Sequence, residues 1–532
     1  MGKVYPEDIY GIKKIGIEKW FDNYYVPVSG REYYSIYSNV FNSYMSLSKK
    51  LDNDIVFWVC LSYMNYIPTF ITKYIHKTRH ITRLKEKGYE YLIGHDKRGI
   101  FGDISVYDLS SHACLNLIEK HMAKLNSWGR FKNILRTIKY NTKPSAVLNR
   151  NYLKNMSKPC FLIGNRDQQQ VVEFCNENNI SPIHIHPMLS ATSTSMGIDL
   201  VQYTKKLDSF IQDFLLSVSN IYEFLNSAIL EELKREIVEC FKYSLLFFFQ
   251  NFNKFKKHKP KKILATGLSS PVNRLFCAAC KLSGGELISF VHGNSYCNSY
   301  TQGPIRYLSF VDKYYASSPG HEEILKQVAN DFSLGLKMSD IVHFKRNFYR
   351  PLFERLQRTQ PVSGIKKVMI VGAVMSMRHY RTIDGEYHTF ARLYHQIEII
   401  KLLKSKGYYV IYKQRPETED EVKGVFDGYA DEIMYGRSFE DTYHYADCLL
   451  FCSPYTSTFG FSLLTNKPIV LINSKGNTWY PRAYELVKKR CAVVEAESND
   501  AGKIVFKGQD VLDAIEASLK NINYDVVYEF AF

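Results

Sequence analysis

The sequence predicts an α/β protein with two Rossmann-like domains in tandem, whose parallel sheets face a central cleft. From about Lys158 onward, short apolar runs alternate with amphipathic helical stretches, which is the pattern of βαβ units in a parallel sheet. A polar, Arg-rich segment from about Asp340 to Gly364 divides these units into two series. The chain of 532 residues is also longer than a domain with one hydrophobic core usually is.

These observations predict three regions of the chain. Residues 1–157 form an N-terminal extension that is mixed and mainly helical, and we assign it to the first lobe. Residues 158–360 form the first Rossmann-like domain, and residues 361–532 form the second.

Within the first domain, apolar runs and their turn residues predict the order of the elements. Strands are predicted at 159–165, 181–187, 262–268, 286–294 and 311–320, the last ending in a turn. Helices are predicted at 167–179, 207–257 and 271–284.

The second domain repeats the alternation. Strands are predicted at 366–374, 407–416, 430–435, 447–454, 467–473 and 490–496, with helices at 387–406, 438–446 and 459–465. Ligands of open α/β sheets collect at the carboxyl ends of the strands. The loops after Val374, Lys413, Cys452 and Asn473 are therefore expected to face one cleft.

Composition limits the partners and the compartment. The chain has 69 Lys and Arg against 53 Asp and Glu, a formal charge of +16, which favours anionic partners. Eleven scattered cysteines indicate reduced thiols in a cytosolic protein, and the charged N-terminus lacks the apolar core of a secretory signal. His184 and His186 share one face of a predicted strand but have no third ligand, so we predict no metal site.

The segment from Ser438 to Asn473 is the most informative for function. It reads as a helix, a strand that ends in a loop of small hydroxyl residues, a second helix and a further strand. A helix start binds phosphate well, but hydroxyl residues also serve there as ordinary N-caps. We predict that four residues bind a nucleotide donor: Tyr455, Thr456, Ser457 and Thr458.

The same segment resembles the donor region of bacterial CDP-glycerol glycerophosphotransferases, capsule-type Kdo transferases and some bacterial sialyltransferases. One residue departs from the pattern, since Pro454 stands where these families usually have an acidic residue. The matching residues, in the same order as in the families, are Asp447, Tyr455, Thr456, Ser457, Phe459, Leu463, Leu464, Lys467, Pro468 and Ile469. The resemblance covers about Lys262 to Lys520. The resemblance implies a GT-B fold and transfer from a nucleotide-activated donor.

Two further positions match these families. Lys413, Arg415 and Pro416 end a predicted strand where the families have a basic residue followed by His-Pro, and an Arg can hold a phosphate or carboxylate bidentately. His292 and Gly293 follow a strand of the first domain, as a His-Gly pair does in several of these families. We predict His292 as a catalytic base and Gly293 as part of the acceptor site, against the alternative of a structural turn.

Two loops supply weaker candidates. Ser376 and Arg378 follow the first strand of the second domain and are predicted to bind donor phosphates, although a solvated basic loop is equally consistent. In the glycine-bounded loop Gly94–Asp103, Asp96 is a candidate base, and His95 and Arg98 are candidate acceptor ligands. A plain polar turn is the alternative.

The resemblance implies a metal-independent glycosyltransferase without a cofactor, whose nucleotide sugar is a co-substrate. The expected donor is CMP-Kdo or another CMP-ulosonic acid, and the expected acceptor is a lipopolysaccharide or capsule glycan, free or lipid-linked. Net charge then predicts a cytoplasmic protein with peripheral contact to the inner face of the plasma membrane.

Alternative functions remain open. They are a CDP-glycerol-type polyol-phosphate transferase, a UDP-sugar transferase or epimerase, and a non-catalytic protein that binds phosphate backbones. The basic residues are dispersed through the α/β units and not gathered on one recognition helix, which argues against nucleic acid as a partner.

Overall fold

The computed structural model describes residues 3–6, 9–51, 54–93, 160–165, 168–184, 200–222, 227–258, 262–268, 270–291, 293–358, 362–372, 389–416, 419–499 and 502–532. The predicted α/β class is confirmed. Two large sheets of mostly parallel strands are flanked by helices, and a small two-stranded sheet lies near the N-terminus.

The small sheet and the first large sheet together contain eight strands. The small sheet pairs β1 with β2, and the first large sheet has the order β4-β3-β5-β6-β7-β8 with every pair parallel. Their bounds are β1 (Lys3–Pro6), β2 (Tyr89–Ile93), β3 (Cys160–Ile163), β4 (Ile183–His184), β5 (Lys262–Ala265), β6 (Glu286–Phe290), β7 (Lys313–Ala316) and β8 (Asp340–His343).

The second large sheet has the order β11-β10-β9-β12-β13-β14-β15, and only its last pair is antiparallel. Its bounds are β9 (Lys367–Val371), β10 (Tyr409–Lys413), β11 (Glu432–Met434), β12 (Cys448–Phe451), β13 (Ile469–Ser474), β14 (Ala492–Ser498) and β15 (Ile504–Val505). The four central strands are almost wholly buried because helices cover both faces of the sheet.

Eighteen α-helices of four residues or more lie in the described ranges. They are α1 (Ile9–Ile15), α2 (Ile17–Asp22), α3 (Gly30–Ser48), α4 (Ile55–Ser62), α5 (Tyr66–Glu86), α6 (Gln169–Glu177), α7 (Val201–Ser219), α8 (Ser227–His258), α9 (Pro271–Leu282), α10 (Ile305–Leu308), α11 (Pro319–Phe332), α12 (Tyr349–Leu356), α13 (Thr389–Ser405), α14 (Glu419–Val422), α15 (Ser457–Leu463), α16 (Pro481–Arg490), α17 (Gly508–Ser518) and α18 (Asp525–Phe530).

Three predicted elements differ from the structure. The long helix at 207–257 is two helices, α7 and α8. The polar segment at the domain junction contains β8, because Ile341 pairs with Tyr314 at the edge of the first sheet. The helix at 438–446 is a turn with one 3-10 segment, since Ser438 and Thr442 bond locally and terminate regular structure.

The N-terminal segment divides between the two lobes. The sequence predicts the whole segment in the first lobe, but Tyr5, Trp20 and Tyr24 share a core with Phe390 and other residues of the second lobe. Helices α3 and α4 instead pack in the core of the first lobe with α7, α8 and α9. The aromatic side chains explain the first contact, because rings on α2 and α13 meet edge to face.

The last helix of the chain crosses back to the first lobe. Phe530 and Ala531 on and after α18 are fully buried, and Ser318 at the start of α11 donates a hydrogen bond to Phe530 O. A Cβ at Gly320 would overlap the backbone of Glu529. The two lobes are therefore joined by a C-terminal crossing as well as by the chain between β8 and β9.

Among the described residues, no single helix is long and apolar enough to cross a membrane, and only the bent pair α4 and α5 passes that test jointly by length and composition. Residues 56–62 of that pair are buried in the core of the first lobe.

Two histidines lie wholly in the core. Burial lowers the pKa of His395 on α13 and of His321 on α11 to about 3 in each case. Neither ring nitrogen of His395 has a hydrogen-bond partner within the described ranges, whereas His321 Nδ1 lies 2.9 Å from Ser317 Oγ. Both side chains are therefore held neutral in the folded protein.

This burial predicts loss of stability in mild acid. A histidine in the unfolded chain titrates near pH 6.5, so protons bind preferentially to the unfolded state below that pH. We expect the urea midpoint to fall between about pH 7 and about pH 5, and to fall less in His395→Leu. Urea unfolding followed by circular dichroism measures this. The control is His343→Gln, an exposed histidine beside Glu322, and equal pH slopes in wild type and His395→Leu would contradict the prediction.

Candidate functional site

The second sheet has a topological switch point between β9 and β12. These two strands are neighbours, although β10 and β11 lie between them in the chain and are placed on the other side of β9. Successive crossovers therefore run in opposite directions and leave a crevice at the carboxyl ends of β9 and β12. Such a crevice is where nucleotides bind in doubly wound sheets.

The loop after β12 leads directly into α15. Thr456 is the N-cap of this helix, and its Oγ1 accepts a hydrogen bond from Phe459 N at 3.1 Å. Thr458 Oγ1 in turn donates to Thr456 Oγ1 at 2.8 Å. These two predicted donor-binding hydroxyls thus hold the start of the helix, as the capping alternative expected.

Helix α15 lies against the loop after β6 of the first sheet. A Cβ at Gly293, which has a φ of 70°, would come within 2.8 Å of Ser457 Cβ. A Cβ at Gly460 would overlap the carbonyl oxygen of Asn294. The carboxyl edges of the two sheets therefore meet here, and we call this contact between 293–300 and 454–460 the seam.

Polar side chains of the first lobe complete the seam. Tyr296, which is fully buried, donates a hydrogen bond from its hydroxyl to Gly460 O at 2.8 Å. Asn298 donates from Nδ2 to Pro454 O, while its buried Oδ1 has no hydrogen-bond partner in the described parts of the chain. The seam thus combines side-chain hydrogen bonds to the backbone with one buried polar atom that has no partner among the described residues.

The basic residues predicted after β10 lie at the same edge of the second sheet. Lys413 is buried and donates from Nζ to Gln414 O at 2.7 Å, and Gln414 N donates to Met434 O at 3.2 Å. Arg415 is half-buried, and Pro416 is exposed. The ammonium group of Lys413 is therefore held inside the protein at the carboxyl end of β10, whereas Arg415 is closer to solvent.

A hydrogen-bonded network lies at the carboxyl end of β13. Asn473 donates to Tyr484 Oη at 3.0 Å and to Glu495 Oε2 at 3.1 Å, and its Oδ1 accepts from Trp479 Nε1 at 3.1 Å. Tyr484 also donates to Glu495, and burial together with this carboxylate raises the pKa of Tyr484. Only the placement of the loop after Asn473 was predicted, because the partners come from β14 and α16.

Tyr455 connects this network to the seam. Its hydroxyl donates to Thr478 O at 2.9 Å, and Thr478 Oγ1 donates to Tyr300 O of the first lobe at 2.9 Å. Three residues that the sequence did not predict therefore join the two lobes: Tyr296, Asn298 and Thr478. For Tyr296 and Asn298, the signal in the sequence was the aromatic and amide residue types at 296–300.

The other matched residues of the motif lie away from the cleft. Asp447 accepts from the backbone N–H groups of Lys366 and Lys367 at 2.9 and 2.8 Å, at the amino edge of the sheet. Lys467 donates from Nζ to Ala446 O at 2.7 Å, and its burial lowers the pKa of the ammonium group. These residues hold the ends of β9, β12 and β13 together.

Six predicted site residues lie outside the described residues. They are His95, Asp96, Arg98, His292, Ser376 and Arg378. Of the described site residues, Gly293 and Ser457 are brought into contact across the lobes. No group of three metal-ligating side chains occurs among the residues that the structure describes.

Comparisons with known proteins give only distant similarities. No model of a protein family matches the chain, and no curated protein matches it. Several solved structures are similar to parts of it, among them the following three.

A UDP-N-acetylglucosamine 2-epimerase from Rickettsia bellii is 14% identical, with a TM-score of 0.35, over 69% of this chain and 89% of its own. A glycosyltransferase from Rickettsia africae is 14% identical, with a TM-score of 0.32, over 71% and 88%. The accessory secretory proteins 1, 2 and 3 of Streptococcus pneumoniae give 10% identity, a TM-score of 0.24, and 54% and 55% coverage. With TM-scores this low, the similarities carry no argument about activity or site.

The close contact at the seam predicts that one additional methyl group there destabilises the protein. In Gly460→Ala the new Cβ would overlap Asn294 O, so the two loops have to separate. We expect a destabilisation of roughly 1 to 3 kcal/mol, the usual cost of overpacking, and a lower midpoint of thermal unfolding. Differential scanning calorimetry measures it.

Gly364→Ala is the matched control, because a Cβ at Gly364 has no neighbour within 4 Å in the structure. If both variants unfold at the wild-type temperature, the close approach of Asn294 to Gly460 is wrong.

Proposed function

We propose that the protein is a nucleotide-sugar-dependent glycosyltransferase whose second lobe binds the donor and whose first lobe binds the acceptor. The observation that carries this proposal is the meeting of two carboxyl edges. The loop after β12, at the switch point of the second sheet, lies directly against the loop after β6 of the first sheet. One ligand at the switch point and another on the first lobe would then share a cleft.

Transfer from a nucleotide donor needs stabilisation of the leaving phosphate. Lys413 and Arg415 place two basic side chains at the carboxyl end of β10, next to β9 of the switch point. Fixed positive groups in a site that excludes water stabilise developing negative charge without a reorganisation cost. These side chains would supply that charge in place of a metal ion.

Closure of the lobes over the donor also suits transfer. Contacts from Tyr296, Asn298 and Thr478 hold the lobes together at the seam. Water excluded from such a cleft cannot hydrolyse the activated sugar. In this proposal His292, which precedes Gly293 in the sequence, accepts the proton of the acceptor hydroxyl.

The donor that we favour is a CMP-activated ulosonic acid such as CMP-Kdo, since additional basic groups suit a carboxylated sugar. The acceptor would be a lipopolysaccharide or capsule glycan, handled by a cytoplasmic protein at the inner face of the membrane. A CDP-glycerol-type transferase and a UDP-sugar transferase or epimerase are the competing functions. An epimerase would form product without any acceptor, so omission of the acceptor separates these activities.

Removal of the predicted phosphate contacts tests the donor site. In the double variant Ser457→Ala with Arg415→Ala, we expect transfer to fall by at least about a hundredfold, as for loss of one or two transition-state donors. Thermal unfolding should change little, because neither side chain is wholly buried. Product formation from CMP-, CDP- and UDP-activated donors, followed by mass spectrometry, measures the transfer.

The matched control is Ser405→Ala with Arg346→Ala, which removes a serine and an arginine that do not belong to the seam; Arg346 pairs with Glu173 at 3.0 Å. Wild-type activity is expected in the control. Retained transfer in Ser457→Ala with Arg415→Ala would show that the donor site lies elsewhere.

A further inference from the structure

The side chain of His184 bonds to the strand next to its own. His184 is the last residue of β4, and its Nε2 lies 2.8 Å from Gly164 O, directly after β3. A carbonyl oxygen only accepts, so Nε2 carries the proton of this hydrogen bond. In the neutral ring Nδ1 is therefore an acceptor, and it has no hydrogen-bond partner among the described residues.

This histidine lies beside the switch point of the first sheet. Strands β3 and β5 are neighbours, although β4 comes between them in the chain and pairs with the other edge of β3. The two crossovers therefore run in opposite directions and leave a crevice at the carboxyl ends of β3 and β5. Open α/β sheets bind their ligands in such a crevice.

The loops after β3 and β5 are bound closely to each other. Thr266 Oγ1 accepts a hydrogen bond from Asn165 N at 2.6 Å and donates to Ile163 O at 3.4 Å. Gly164 has a φ of 100°, and a Cβ there would overlap Thr266 Oγ1. Only a glycine allows this approach, which fixes the carbonyl oxygen that His184 binds.

Space remains open at the end of β5. A Cβ at Gly267, which follows Thr266, would have no neighbour within 4 Å among the described residues. Gly164 is exposed, and His184 and Gly267 are half-buried, so solvent reaches this end of the sheet. Adjacent strands lie about 4.8 Å apart, so a molecule of the size of a sugar beside His184 would also contact the loop after β5.

The polar groups at this crevice suit hydroxyl groups. Asn273 in the first turn of α9 donates from Nδ2 to Gly267 O at 2.7 Å, which leaves its Oδ1 as an acceptor. This oxygen and Nδ1 of the neutral His184 ring carry no formal charge. Uncharged acceptors match the O–H donors of a sugar, whereas a phosphate or a carboxylate needs N–H donors or cations. The chemistry therefore favours a neutral ligand that is rich in hydroxyl groups.

We propose that His184 binds a hydroxyl group of the acceptor sugar through Nδ1, in the crevice between β3 and β5. Nε2 holds the ring in place through Gly164 O, and the sugar hydroxyl donates to Nδ1. This proposal rests on the assignment of the acceptor to the first lobe. It makes His184 a binding residue, with a role separate from that of His292, the proposed base.

Nitrogen-15 NMR of the histidine-labelled full chain observes Nδ1 without any need for activity. The probes are glucose, galactose, mannose and N-acetylglucosamine, and the His184 signals are identified by their loss in His184→Gln. We expect a ring protonated on Nε2, and a shift of the Nδ1 signal with at least one sugar. The signals of His343, which bonds to Glu322, are the control. A ring protonated on Nδ1, or no shift with any of the four sugars, would overturn the proposal.

Two amide variants separate ligand binding from structural support. In His184→Gln the amide nitrogen replaces Nε2 and can keep the bond to Gly164 O, but no acceptor replaces Nδ1. In His184→Asn the amide oxygen replaces Nδ1, and the bond to Gly164 O is lost. We expect affinity for the sugar, measured by saturation-transfer difference NMR, to fall about fivefold or more in His184→Gln and less in His184→Asn. The reverse order would show a structural role and contradict the proposal.

CMP and UDP separate this proposal from the proposed function. A nucleotide that binds only the folded state raises the midpoint of thermal unfolding. If both assignments are right, CMP or UDP stabilises wild type and His184→Gln alike, while sugar binding is weakened only in the variant. Sugar binding that depends on His184, without any nucleotide effect, supports the hydroxyl site and counts against the donor site. Nucleotide stabilisation without sugar binding supports the donor site and overturns the role of His184.

Discussion

The close contact between Asn294 O and Gly460 determines the relation of the two lobes. A carbonyl oxygen can approach a helix this closely only where the helix residue has no Cβ. The neighbouring contact also needs a glycine, because a Cβ at Gly293 would overlap Ser457. Because each partner follows the carboxyl end of a parallel strand, this contact sets the ligand-binding edges of both sheets face to face. The hydrogen bonds from Tyr296 and Asn298 then hold that arrangement.

Charged side chains within the fold bond mainly to backbone groups. At the amino edge of the second sheet, Asp447 accepts from two backbone N–H groups, and Arg490 donates to three carbonyl oxygens at the end of α15 and after it. These charges have protein partners and stabilise local structure. In the first lobe, Arg274 donates to the carbonyl oxygens of Leu268 and Ser62.

How well each helix or strand was predicted depends on the interactions that stabilise it. Buried strands such as β9, β12 and β13 were predicted closely because continuous apolar runs of this length are typical of a parallel sheet covered on both faces. The helix predicted at 438–446 failed because Ser438 and Thr442 bond to nearby backbone and terminate regular structure. The assignment of residues 3–26 was incomplete, because aromatic residues pack equally well on either lobe and sequence does not say which surface they meet.

Sequence by itself determined that this chain forms two α/β units and that a hydroxyl loop after Cys452 leads into a helix, because periodicity and cap residues act over a few neighbouring positions. Only the tertiary structure decided that Gly293 meets Ser457 and that Tyr296 donates to Gly460 O. Those facts depend on contacts between segments far apart in the chain. Such contacts are set by packing and burial, which no local pattern encodes.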